Sequence, residues 1–171
     1  MRLRPAAPAD LAAIQAIYAH HVLHGLASFE VEPPSLDELR HRHDGCMRRG
    51  LPWLVGEIAG SVAGYGYCSP YRSRSAYRYT LEDSVYVRQE AQGKGVGSAI
   101  LRELIVRCEA LGYRQLVAVI GDSANAASIR LHARLGFIRA GSLRSAGFKL
   151  GRWVDSVVMQ RPLGPGDATP P

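Results

Sequence analysis

The chain has 171 residues, 47% apolar and 21% charged, enough for one substantial core, since a domain of this size buries roughly 70% of the surface its unfolded chain exposes. This excludes a disordered chain and leaves no material for two ordinary domains. Twenty-one Lys and Arg against 15 Asp and Glu give a net charge of +6, which favours anionic partners without naming them. The three cysteines, Cys46, Cys68 and Cys108, form no C-x-x-C pair, which argues against a disulfide framework or a cysteine zinc site and for a reducing, cytoplasmic setting. Arg2 and Arg4 precede Pro, Ala and Asp, not an apolar stretch, and no run of about 18 apolar residues follows, so neither a signal peptide nor a membrane span is expected.

From Asp10 onward Leu11, Ile14, Ile17, Tyr18 and Val22 recur at helical spacing behind an acidic residue suited to a helix start, which predicts a first helix. Ser35 and Glu38 form a capping box after Pro33-Pro34 and open a second helix through about Arg48, basic on its outer face. Trp53 to Ile58 and Val62 to Tyr67 flank Ala59-Gly60 and read as two antiparallel strands joined by a tight turn. Tyr79 to Val87 reads as a strand, Gly97 to Leu111 as a helix, and Gln115 to Ile120 as a buried strand. Asn125 to Leu135 is again helical, and two strands, about Phe137 to Ser145 and Trp153 to Met159, complete the order. The Gly- and Pro-rich stretch 164–171 cannot build a core and is expected to fray, leaving 1–163 as one domain. The order predicts a mixed α/β domain.

Between the strand ending at Val87 and the next helix lies a loop with three glycines in five residues, Gly93, Gly95 and Gly97. Such a loop lets backbone N–H groups converge on an anion at a helix N-terminus, where the helix dipole favours negative charge. Phosphate is the natural ligand. A P-loop would need Lys followed by Ser or Thr, and here Lys94 is followed by Gly95. A dinucleotide fingerprint would put Ser98 in its third glycine place, and the next acidic residue at a strand end, Asp122, lies beyond the offset of about 20 residues that the ribose-binding carboxylate needs.

The segment resembles the acyl-CoA loop of the GNAT superfamily of N-acetyltransferases, whose Gln/Arg-x-x-Gly-x-Gly/Ala pattern is met by Gln92, Gly95 and Gly97. Downstream, Asn125-Ala-Ala-Ser128-Ile-Arg-Leu-His132-Ala-Arg-Leu-Gly136-Phe137 is similar to the second CoA-side segment of that family. The likeness extends over nearly the whole chain to the phosphinothricin acetyltransferase branch, which includes enzymes of methionine sulfone and sulfoximine. It is carried by Pro52 to Val55, Tyr71 to Tyr77, Glu82 to Val87, Val117 to Gly121 and Lys149 to Asp155. The resemblance implies a mostly antiparallel twisted sheet flanked by helices, acetyl-CoA as cosubstrate with no metal, and a homodimer. It implies that Gln92, Gly93, Lys94, Gly95, Val96, Gly97 and Ser98 hold the pyrophosphate, that Val85, Tyr86 and Val87 bind the pantetheine arm, and that Asn125 and Ser128 complete the CoA side.

The acceptor amine must be uncharged to attack, whereas a free α-amino group is largely protonated near neutrality, so a base is required. Strand alternation puts Glu82, Ser84 and Tyr86 on one face and Leu81, Asp83, Val85 and Val87 on the other, so Glu82 can face a cleft while the valines pack. A surface carboxylate paired with Arg74 or Arg78 is the plainer reading of the same residue; the resemblance, which has a Glu base in this place, favours catalysis. Many family members carry a Tyr seven residues after the Asn as the acid for the departing thiolate. Here that slot holds His132, with Tyr86 and Tyr113 as alternatives. Arg72 and Arg74, with Tyr77 close by, suit bidentate capture of carboxylate, sulfonyl or phosphinate oxygens, against the reading of a solvated basic loop. By resemblance Phe29, Glu30, Lys149 and Trp153 also border the acceptor.

His20, His21 and His24, and the pair His41 and His43, lack a carboxylate or cysteine to complete a metal set, so packing or exposed histidines are expected. Two other functions compete with acetylation of a small anionic amino acid. One is a different acceptor, such as a protein N-terminus, polyamine or aminoglycoside, whose positive charge would prefer carboxylates where this chain offers arginines. The other is a basic nucleic-acid-binding module on a CoA fold, which the scattered Lys and Arg and the absence of an RNA-stacking aromatic motif do not favour.

Overall fold

The computed structural model describes residues 1–171. Its strands are β1 (Arg2–Pro5), β2 (Trp53–Ile58), β3 (Ser61–Pro70), β4 (Thr80–Val87), β5 (Gln115–Gly121), β6 (Ile138–Lys149) and β7 (Arg152–Pro162). Its helices are α1 (Leu11–His24), α2 (Leu36–Arg48), α3 (Val96–Ala110) and α4 (Ala126–Arg134). One sheet of order β1-β2-β3-β4-β5-β7-β6 holds all seven strands, and only the β4–β5 pair is parallel, bridged by α3. The mixed α/β domain expected from the element order and the mostly antiparallel sheet implied by the resemblance are therefore present.

The first helix buries the expected stripe, Leu11, Ile14, Ile17, Tyr18 and Val22. Asp10 does precede it, but as a tie and not as a cap: its carboxylate accepts from the Ala7 N–H and from Arg4 at 2.6 Å. Arg4 also reaches Glu57 at 2.5 Å, fastening β1 to β2. Ser35 Oγ accepts from the Glu38 N–H at 3.1 Å and caps α2 as its pattern predicts.

The two faces of the sheet are filled differently. On one, Trp53, Tyr65 and Tyr67 stack below α1 and α2, with Trp53 and Tyr67 centroids 4.1 Å apart. On the other, α3 settles directly onto β3, where a Cβ on Gly66 would stand 2.6 Å from Ile100 Cγ2 and 2.9 Å from the Ser84 carbonyl oxygen. That close approach buries Ile100, Leu101 and Leu104 completely.

At the far edge, β6 runs on to Lys149 and β7 to Pro162, both longer than their apolar runs suggest. In the stretch 164–171 the Thr169 and Pro170 carbonyls accept from Arg114, the residue before β5. No helix is long and apolar enough to cross a membrane.

The sheet has one break that matters. β4 and β5 pair only from Thr80–Gln115 to Asp83–Ala118, after which β4 continues to Val87 beside β3 and β5 to Gly121 beside β7. Beyond Asp83 and Ala118 the two strands part, leaving the facing backbone groups without a strand partner.

Candidate active site

The gap between the parted strands opens into a cavity of about 960 Å³. Its walls are β4 from Asp83 to Val87, β5 from Ala118 to Gly121, the loop before α3, and α4. Gly93 and Gly95 take left-handed backbone, with φ of 73° and 81°, which turns the loop tightly enough to bring successive N–H groups inward. The N–H groups of Gly93, Gly95, Val96, Gly97 and Ser98 have no acceptor within the chain; the first helical bond is from Ala99 to the Gly95 carbonyl. Five free donors at the positive end of α3 form a cradle for an anion.

Of the twelve residues expected on the CoA side, all line this cavity except Lys94, which is exposed. Asn125 also caps α4, its Oδ1 accepting from the Ser128 N–H at 3.2 Å. The turn after α1, Gly25 to Ala27, and His21 close the outer side. The His21 ring donates from Nε2 to the Val87 carbonyl, 2.9 Å away, and burial holds its pKa below the ordinary histidine value.

Among the residues lining the cavity is a buried pair. His132 Nε2 lies 3.0 Å from Asp83 Oδ2, and Phe137 packs edge-on against the imidazole at 5.0 Å. Burial opposes charge on His132, but the bond to Asp83, its Coulomb attraction and the Ser128 carbonyl outweigh it and raise the pKa. Asp83 is the residue that sequence reasoning missed. It fell on the face assigned to packing, and a lone carboxylate between Leu81 and Val85 was the available signal.

Glu82 leaves the opposite face of β4, half-buried. It pairs with neither Arg74 nor Arg78, the latter lying instead over the Tyr79 ring. Burial first, then the charge of Asp83, pushes its carboxyl above the usual carboxylate range, while Arg72 pulls it back. On the same face, Tyr86 packs against Tyr18 at 4.9 Å and His21 at 5.4 Å. Tyr18 shares a 2.8 Å hydrogen bond with Ser28 Oγ, and the Ser28 carbonyl accepts from the buried Lys149 Nζ at 2.7 Å.

The other expected acceptor residues are less closely gathered. Arg72 stacks on Tyr71, whose ring meets Tyr77 edge-on, and Arg74 and Tyr77 are exposed. Glu30 is taken by Arg42 at 2.6 Å, Phe29 lies against Gly147, and Trp153 sits 64% exposed against Phe148. Tyr113, an alternative acid, does not line the cavity. His43 packs beneath Trp53 at 5.3 Å, and no three His, Cys, Asp or Glu side chains assemble as metal ligands.

A sheet split beside a helix N-terminus, with a carboxylate just across the strand, is an arrangement that fits acyl-CoA-dependent N-acetyl transfer. The chain belongs to the acetyltransferase (GNAT) family, which it matches over residues 15–137. It is 57% identical over 162 residues to the phosphinothricin N-acetyltransferase of Alcaligenes faecalis, covering 95% of this chain and 82% of that one. It is 41% identical over 169 residues to the L-methionine sulfoximine/L-methionine sulfone acetyltransferase of Pseudomonas paraeruginosa, covering 98% of each. Among solved structures it is similar to a phosphinothricin acetyltransferase from Sinorhizobium meliloti in complex with acetyl-CoA, with a TM-score of 0.96 and 48% identity over 99% of this chain and 92% of that one.

Proposed function

We propose that the protein transfers the acetyl group of acetyl-CoA to the α-amino group of a small anionic amino acid or analogue, of the phosphinothricin, methionine sulfone and methionine sulfoximine class. It acts as a cytoplasmic homodimer with residues 1–163 as one catalytic domain. The observation that carries this reading is the position of Glu82 on β4, one residue before β4 and β5 part around the cavity that holds the anion cradle. The names of the relatives supply the acceptor class.

The free N–H groups from Gly93 to Ser98 hold the pyrophosphate, with Gln92 and Lys94 at the rim. Val85, Tyr86 and Val87 offer the unpaired edge of β4 to the amide-bearing arm, and Asn125 and Ser128 wall the other side. When bound, acetyl-CoA supplies an acetyl group activated as a thioester. Glu82, its carboxyl held above the usual carboxylate range by burial and the adjacent Asp83, takes a proton from the acceptor ammonium, directly or through water. Arg72 and Arg74 hold the acceptor's oxyanion, with Tyr77, Phe29, Glu30, Lys149 and Trp153 shaping the pocket. A backbone N–H of β4 donates to the carbonyl oxygen as negative charge develops there. His132 faces the departing thiolate, and no serine or cysteine nucleophile intervenes.

The test is thiol release from acetyl-CoA with a panel of phosphinothricin, methionine sulfone, methionine sulfoximine, proteinogenic amino acids, polyamines and an aminoglycoside. Turnover confined to the anionic amino acids is the expected result. Turnover of polyamine or aminoglycoside alone, or silence with acetyl-CoA still bound, overturns the acceptor assignment.

A further inference from the structure

The Asp83 and His132 side chains are 1% and 5% exposed, and the reaction as written above uses only His132. The geometry at the imidazole is restrictive. Nδ1 lies 2.8 Å from the Ser128 carbonyl oxygen, one helical turn back, and a carbonyl can only accept, so Nδ1 carries a hydrogen. Nε2 lies 3.0 Å from Asp83 Oδ2, and an ionised carboxylate can only accept as well, so Nε2 carries the second. With Asp83 ionised, this geometry holds the ring as an imidazolium with both N–H directions fixed, the pair as a whole being neutral.

Resting on the acetyl-transfer reading, we propose that Asp83 is a positioning residue that holds His132 as a fixed imidazolium on the cleft wall, where it serves as a standing positive charge beside the leaving sulfur and not as a proton donor. Surrendering the Nε2 proton would leave a lone pair facing a carboxylate, two acceptors with nothing between them, at a pair whose side chains are almost wholly buried. Nor is the proton needed. An ordinary thiol ionises near pH 8.5, about as readily as any neutral-pH leaving group requires, and a neighbouring cation eases its departure further. The proton balance closes without His132: the acceptor ammonium loses one proton to Glu82, which passes it to solvent, the C–N bond forms and the C–S bond breaks, the nitrogen's second proton leaves by the same carboxylate, and the thiolate takes a proton from solvent after release.

The groups around the pair leave the ring charge to Asp83. Cys68 on β3 lies opposite Asp83, its free thiol pushed well above the ordinary range by the neighbouring Cys108 thiol on α3 and by burial. Glu82 projects from the other face of β4. Arg130 and Arg134, the other charged residues of α4, are exposed, and Phe137 offers only a ring edge.

The experiment combines ring-nitrogen NMR of the full-length protein with kinetics, the His132 signal being assigned by its loss in His132→Gln. Both nitrogens of His132 are protonated at pH 7.5 in the wild type, and Asp83→Asn converts the ring to a neutral form at that pH. Relative to wild type, Asp83→Asn loses at least tenfold more turnover at pH 8.5 than at pH 6, with acetyl-CoA affinity unchanged. A neutral wild-type ring at pH 7.5 overturns the proposal, and so does an Asp83→Asn profile parallel to wild type at every pH, the mark of a purely structural defect. The ring measurement on the wild type needs neither a folded variant nor an acceptor. A silent acceptor panel would therefore overturn the acceptor reading and leave this one to be decided on its own.

Discussion

Glu82 and Asp83 are neighbours on β4, yet they leave opposite faces of the strand and meet opposite surroundings. Glu82 is half-buried and pairs with no cation, so burial and the adjacent Asp83 charge raise its carboxyl. A base works only when deprotonated, so turnover falls as pH drops through that raised value, and the acid limb of kcat/KM lies above the ordinary glutamate pKa of about 4.3. Glu82→Gln is expected to lower kcat by roughly 10²–10⁴ with acetyl-CoA affinity near wild type; a loss below threefold across pH 6–9 would remove Glu82 from that role. Arg72 is the group that lowers the Glu82 pKa, so Arg72→Ala is expected to shift the acid limb to higher pH and to raise the KM of the anionic acceptor. A limb that stays in place, seen in kcat/KM profiles of both proteins, would mean that the two charges do not communicate. At this scale Glu82 was legible because alternation along Glu82 to Val87 assigns faces without any tertiary knowledge. The partner of His132 was not, because Asp83 is 49 positions away in sequence and only the fold of α4 over β4 joins them.

Elements with strong periodicity were readable and those without were not. The four helices and β2 to β5 follow their apolar patterns, whereas β1 has one apolar residue, Leu3, between Arg2 and Arg4, and ends in Pro5. It exists because β2 offers an edge and because Arg4 finds Asp10 and Glu57, neither of which local pattern contains. β6 was foreseen but cut short at Ser145, since the register shifts between Arg139 and Gly141 and again between Leu143 and Gly147 interrupt its alternation. The junction of α3 with the sheet carries two expectations of its own. Gly66→Ala would force a methyl into Ile100 and the Ser84 carbonyl, and an overpacking cost of about 1–3 kcal/mol is expected in urea unfolding. Gly95→Ala places a side chain at φ 81° directly before α3; it is expected to cost about 1–2 kcal/mol of stability and to weaken acetyl-CoA binding about tenfold by calorimetry. Unchanged affinity with that stability loss would show that the anion does not rest on this turn.

The whole molecule presents one surface that a lone chain leaves unfinished. β6 ends the sheet order and is exposed along nearly its whole length, with Ile138 70% and Leu143 62% exposed and, near the hairpin tip, Phe148 59% and Trp153 64%. Natural edge strands are kept short, charged or covered, because an open ladder of N–H and C=O groups invites pairing. A twelve-residue edge bearing large apolar side chains is better explained as covered by a second copy, in the two-fold arrangement commonest among soluble oligomers, which accords with the homodimer implied by resemblance. Sedimentation at micromolar concentration is expected to give a dimer, and the double substitution Leu143→Glu and Phe148→Glu a folded monomer. Such a dimer would also bear on the site, because Arg74, Tyr77 and Trp153 are exposed in the single chain although the acceptor reading needs them near Glu82. If the partner's surface completes that pocket, the monomeric variant keeps its acetyl-CoA affinity and raises the acceptor KM at least tenfold. A monomer with an unchanged acceptor KM would instead confine the pocket to one chain, and the choice of acceptor would then fall to Arg72 and the Tyr18, Ser28 and Lys149 network alone.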